Sequence, residues 1–296
     1  MTVRTTKEPA AEAVPAAAPG AGPARRRWRR PPLPVLLALL YLALVLVAIV
    51  APGLLGAADP TATAPASALR APGDGFLFGS DQLGRDIWSR ILYGARWSLG
   101  IAVAALVIGV VLGAVLGLIA GLAPRIVTEV TGRFFDLLSA FPGVLLALLI
   151  AVLWGRGPTG IALAIGLAGV PKFGRIIRAR TLQVSRSDYV VNAVTFGHGR
   201  VRNIVRHVFP NVIGSIGLVA AMDLGASILA VSGLSFLKMG PQPPTPEWGI
   251  MLAESRDILR VAWWASVFPG LALVLTVASF VVLGRYAQAR YERRLR

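Results

Sequence analysis

The chain has 296 residues, is 55% hydrophobic and only 15% charged, and has a mean hydropathy of +0.68, which places it outside the range of ordinary soluble domains. It contains no cysteine, so disulfides, thiolate metal sites and cysteine nucleophiles are excluded. Its 30 Lys and Arg against 14 Asp and Glu give a net charge of +16, which suits nucleic acid or an anionic membrane surface, and the positions of the charges decide between the two.

Residues 1–30 are rich in Ala, Pro and Gly, show no periodic apolar pattern, and end on Arg25, Arg26, Arg27, Trp28, Arg29 and Arg30. They read as a disordered basic tail. The uncharged stretch 31–58 predicts a first transmembrane helix, being long for the apolar region of a signal peptide. Residues 59–96 then form an extracytoplasmic segment. Uncharged runs recur at 99–123, 137–154, 157–171, 210–237 (interrupted by Asp223) and 261–283, which makes six spans. The predicted fold is all-α, a polytopic membrane protein whose core occupies 97–284. The run at 157–171 is short for a bilayer and needs snorkelling residues such as Lys172 to complete it.

Lys and Arg crowd into the N-terminal tail, the second connection (Arg125, Arg133), a loop at 172–210 and the basic tail 285–296, while few lie in 59–96 or in the loop 238–260. The bias predicts a multi-pass membrane protein with both termini in the cytoplasm. Basic segments beside spans suit an anionic inner leaflet, so the net charge needs no nucleic acid to explain it. Along the second span Gly109, Gly113, Gly117 and Gly121 recur every fourth residue and offer one bare stripe for helix packing.

Catalytic parts are scarce. His198 and His207 are the two histidines, with no carboxylates at metal-ligand spacing, and no nucleophile elbow occurs. Lys7, Lys172 and Lys238 precede Glu, Phe and Met, so none completes a P-loop. Uphill transport would draw on a partner protein or an ion gradient. Asp223, deep in the fifth run, and Asp136, near the inner end of the third, are the candidates for a translocation path; Asp223 would also serve an ion-coupled carrier.

The loop 172–210 is too long for a plain connection. Ser187 or Asp188 is placed to cap a helix at 189–196, Gly197 and Gly199 break it, and a second helix runs to Phe209, where Pro210 stops it. Val201, Ile204, Val205 and Val208 recur at the spacing of one helix face. Such a pair either lies on lipid or plugs into a partner.

Three stretches carry a resemblance. The loop from Asp188-Tyr189 through Ala193 and Gly197 to His207-Val208-Phe209-Pro210-Asn211 resembles the coupling loop of ABC importer permeases. The stretch Phe78-Gly79-Ser80-Asp81-Gln82-Leu83-Gly84-Arg85-Asp86 to Ser98-Leu99, and Gly233-Leu234-Ser235-Phe236-Leu237 with Gln242-Pro243-Pro244 and Trp248-Gly249, are similar to the dipeptide/oligopeptide/nickel permease family, C-type subunit. Val191, Asn192 and Val231 stand where that family carries Glu, Ala and Glu, which leaves Asp188 or Arg200, Arg202 and Arg206 to make the ion pair with the ATPase.

The resemblance implies a type I ABC importer-like permease, half of a translocation pathway, with a second permease subunit, two cytoplasmic ATPases that bind ATP and Mg, and an extracytoplasmic solute-binding protein. It implies no enzymatic activity and no cofactor in this chain. Di- or oligopeptides are the expected solutes, with nickel chelates as the alternative. The expected ATPase-coupling residues are Asp188, Tyr189, Val190, Val191, Asn192, Ala193, Gly197, Val201, Ile204, Val205 and Pro210. Asp81, Arg85, Asp86, Glu247 and Trp248 are the expected outer-loop or binding-protein contacts.

Overall fold

The computed structural model describes residues 32–73, 75–195 and 199–295; the N-terminal tail and Gly197 lie outside the described residues. Among the described residues, ten helices follow one another: α1 (Leu33–Val50), α2 (Ile87–Leu122), α3 (Arg125–Ser139), α4 (Gly143–Trp154), α5 (Pro158–Ser185), α6 (Asp188–Thr195), α7 (Arg200–Asn203), α8 (Phe209–Phe236), α9 (Trp248–Ser255) and α10 (Trp264–Leu295). Among the described residues, pairing of the β type is confined to two isolated bridges, Gly73 with Phe76 and Ser80 with Asp86. Among the described residues, five helices are long and apolar enough to cross a membrane, and α3 with α4, bent by 90°, supplies a sixth crossing when counted as one span.

Several boundaries differ from the pattern of uncharged runs. The first helix stops at Val50, not Ala58, because Pro52 and Gly53 pull the chain into a 3-10 turn. The third run does not begin a helix at Leu137. Helix α3 starts at Arg125 and ends at Ser139, and α4 restarts behind Pro142, whose backbone is extended and whose nitrogen has no hydrogen to donate. At 12 residues, α4 rises roughly 18 Å, less than a hydrocarbon core of about 30 Å.

The fourth span is longer than its apolar run. Helix α5 passes through Pro171 and continues to Ser185, so Lys172 sits inside the helix and does not open the following loop. Pro210 likewise does not end a helix. A π turn at Ile204–Val208, in which the Phe209 N–H reaches the Ile204 carbonyl, leads directly into α8, and Pro210 occupies the first turn of α8. The wider turn accommodates a residue that cannot donate to the usual ladder.

The centre of the bundle is the parallel contact between α2 and α5. A Cβ built on Gly113 would lie 2.7 Å from Phe173 Cβ and 3.0 Å from the Gly174 nitrogen, and one on Gly117 would lie 2.6 Å from the Gly174 carbonyl oxygen. Only glycine lets the two backbones approach so closely. Gly109 and Gly121 extend the contact by one turn each way, against Gly166 and Thr181. Around this pair, α1 packs on α10, where the Tyr41 hydroxyl donates to the Ala272 carbonyl at 2.8 Å.

The bundle has two ends. At the cap end, residues 51–86 and 237–263 cross over the helix termini; Trp88 Nε1 donates to the Leu55 carbonyl at 2.9 Å, and Trp264 Nε1 to the Ser80 carbonyl at 3.1 Å. Phe78 stacks on Phe268 with centroids 4.1 Å apart. At the loop end lie the α2–α3 connection and residues 186–208. A small core there joins Phe173 and Ile177 of α5 to Val190 of α6 and to Val208, Val212 and Ile216.

Candidate functional site

Three groups of polar residues stand out against this apolar frame. The first is the loop-end elbow α6–α7. Val190 is buried against the bundle, and the Asn203 amide, also buried, donates to the Val190 carbonyl at 3.2 Å, which ties the second helix of the elbow to the first. Asp188, Tyr189 and Asn192 are exposed on α6, and Arg202, Val205 and Arg206 are exposed beyond it. Two expectations change here. Val190 faces its own bundle, so its side chain is not offered to a partner. Val205 does not share a face with Val208: through the π turn Val205 is left 62% exposed while Val208 is 2% exposed and packs into the core, with Ile204 half-buried. Val191, Ala193 and Val201 lie within the two helices, and Pro210 is exposed in the first turn of α8.

The second group is the charged lattice at the cap end. Arg85 Nε donates to Asp81 Oδ2 at 2.6 Å, and Arg90 bonds both Asp81 (3.2 Å) and Glu254 (2.8 Å). Arg85 also reaches Glu254, at 3.3 Å. Two guanidinium groups and two carboxylates thus neutralise each other, with both arginines 1% exposed. Asp86 caps α2 by accepting from the Ser89 N–H at 3.0 Å. Glu247 caps α9, accepting from the N–H groups of Gly249 (3.0 Å) and Ile250 (2.9 Å), and Ser98 of α2 donates to it at 2.9 Å. Trp248 Nε1 donates to the Ile91 carbonyl at 3.0 Å.

Arg85, Glu247 and Trp248 are therefore enclosed by this chain itself, and Asp81 nearly so. They brace the cap from within, because charged and capping groups removed from water must be paired internally. Its neighbours Gln82 and Leu83 are the exposed residues of this segment. Glu254, which completes the lattice, is not among the expected site residues; its signal is a carboxylate in a short cap-end helix of a chain that holds two arginines around the start of α2.

The third group is a set of ion pairs on α5. Lys172 pairs with Asp223 of α8, and Arg175 donates to Asp136 of α3 at 2.8 Å and to the Phe135 carbonyl at 3.2 Å. Asp136 is largely exposed near the loop end, whereas Asp223 is mostly covered. Lys172 is thus not a residue snorkelling to the interface but the counter-ion of the deep carboxylate, a pairing that is the ordinary state of charges inside a membrane protein. With that carboxylate already neutralised, Asp223 is a poor basis for an ion-coupled carrier.

Residues 109–296 match the model of the binding-protein-dependent transport system inner membrane component family. The chain belongs to this family. The glutathione transport system permease protein GsiD of Escherichia coli O1:K1 is 41% identical over 207 residues, covering 70% of this chain and 68% of that protein. Its counterpart from Shigella flexneri serotype 5b (strain 8401) is 43% identical over the same length, with the same coverage. An amino acid ABC transporter solved with histidines shares the fold, with a TM-score of 0.53 over 68% of this chain and 94% of that one, at 14% identity. The permease is accordingly the membrane subunit of an ABC importer and not an enzyme, and its apolar helices place it in the inner membrane.

Proposed function

We propose that this permease forms half of the translocation pathway of an importer for short peptides, driven by ATP that separate cytoplasmic ATPase subunits bind with Mg. The observation that carries the coupling part is the elbow at 188–208. It projects Tyr189, Asn192 and Val205 away from the bundle, while Val190 packs with residues of α5 and α8 and Asn203 is bonded to the Val190 carbonyl. A push on such an elbow reaches two spanning helices directly. Peptides are favoured because the relatives are named for glutathione, which is itself a tripeptide. The loop end faces the cytoplasm, both termini lie there, and the cap end receives a solute-binding protein; a second, related permease completes the pathway.

The test is ATP hydrolysis by the assembled complex in liposomes. Binding protein with peptide should stimulate the wild-type ATPase, and a Tyr189→Asp, Val205→Asp double variant, altered only at exposed positions, should insert normally yet lose at least tenfold of that stimulation. Unchanged stimulation would remove the elbow from the mechanism.

A further inference from the structure

The ion pair between Lys172 and Asp223 is placed where a membrane protein does not keep charges without use. From Pro158 to Lys172, and from Phe236 back to Asp223, the two helices each rise roughly 20 Å at about 1.5 Å per residue. Measured from those cap-side helix ends, the pair lies at about two-thirds of the thickness of a hydrocarbon core of about 30 Å. The Lys172 side chain is nevertheless 54% exposed on the surface of this chain, against 16% for Asp223. An ammonium at that depth is not stable against lipid, so the face that carries it borders water or a polar partner surface.

That face is also roomy on its cap side. The neighbours one turn above the pair are small: Ala168 and Gly169 on α5, and Ala226 on α8. A Cβ added at Gly169 would touch only the Phe173 ring, at 3.9 Å. The opposite face of α5 is filled by α2 along the glycine stripe, so the open side is the one on which Lys172 lies.

We infer that Lys172 and Asp223 line the solute path and hold the two charged ends of a passing zwitterionic peptide, Lys172 taking the free carboxylate and Asp223 the free ammonium. This assignment rests on the peptide reading above. In the resting chain the two side chains neutralise each other. A short peptide spans at most about 3.3–3.6 Å per residue, and the flexible lysine stem lets the pair open by that order of distance and exchange its internal partner for the solute's ends. The pair then selects for unblocked termini and tolerates varied side chains, since among the described residues the next charge on these two helices is Arg175, which is engaged with Asp136.

The experiment is uptake of trialanine, its C-terminal amide and its N-acetyl form by the reconstituted full complex. Each variant is compared with wild type on the same peptide, so that selection by the binding protein cancels. Lys172→Gln should lower uptake of trialanine at least tenfold and abolish the advantage of the free acid over the amide, while Asp223→Asn should abolish the advantage of the free amine over the acetylated form. Equal loss of all three peptides in both variants would mean an internal clamp and overturn the assignment, as would wild-type uptake of all three. A wild-type complex that moves other solutes but no peptide would overturn the peptide reading and this assignment with it. Because the chain has no native cysteine, Lys172→Cys also gives a single thiol. It should react with membrane-impermeant thiol reagents and be protected by trialanine; absence of reaction in every nucleotide state would overturn the path-lining role.

Discussion

Two opposing influences act on the Glu247 carboxyl. Removal from water raises its pKa, and the N–H groups of Gly249 and Ile250 with the Ser98 hydroxyl lower it; removal from water dominates and holds the group above its ordinary value of 4.5. The folded protein therefore keeps this proton to higher pH than the unfolded chain does. The stabilisation is complete below the unfolded value and is lost as pH rises through the raised one. Thermal unfolding of the detergent-solubilised protein should show that decline, and Glu247→Gln, which keeps a capping oxygen, should flatten it. Glu247→Ala should cost about 0.5–2 kcal/mol below the ordinary carboxyl pKa, the usual range for a lost cap, and less as pH rises through the raised one. The residue types at this site are legible in sequence, but their direction is not: Ser98 lies 150 positions from Trp248, and nothing local announces that α2 rather than a partner receives the loop.

Among the elements, α2 offers an internal comparison. Gly113→Leu would drive a side chain into Phe173 and the α5 backbone and should abolish the folded bundle, read as loss of the monodisperse peak in detergent. Gly100 sits in the same helix, where an added methyl group would meet nothing within 4 Å, and Gly100→Ala should instead stabilise by about 0.5–1 kcal/mol through reduced backbone freedom. Helix existence is readable from runs of uncharged residues, since few other structures satisfy the backbone in lipid. Helix ends are less so. Proline reads locally as a stop at positions 171 and 210, yet Pro171 is buried inside α5 and Pro210 follows a π turn; Pro142 does break a span, and there the break falls inside a run that is continuous in hydropathy. Packing against α2 keeps α5 helical through a residue whose local preference is to end it.

For the whole molecule, the expected topology is testable by insertion. Alkaline phosphatase placed at Gly73, in an exposed turn of the cap, should be active outside the membrane, and a fluorescent protein after Arg290 should fold in the cytoplasm; the reverse pattern would invert the proposed orientation. The number of crossings and the side on which basic residues collect follow from hydropathy and charge alone. The pairs that cross the bundle do not. Lys172 and Asp223 are 51 positions apart, and Arg90 and Glu254 are 164 apart, so each stands as an isolated charge until the helices are brought together.

The glycine seam between α2 and α5 has a mechanical consequence. Four successive turns of near-touching backbone leave no slack for sliding, so the two helices behave as one stiff beam. Helix α2 alone rises roughly 54 Å over its 36 residues, well beyond the hydrocarbon thickness. Any tilt imposed near Ser185 is carried without a joint to Asp86, where the arginine lattice begins. A push at one face of the membrane would then reach the other through this beam as a single lever stroke.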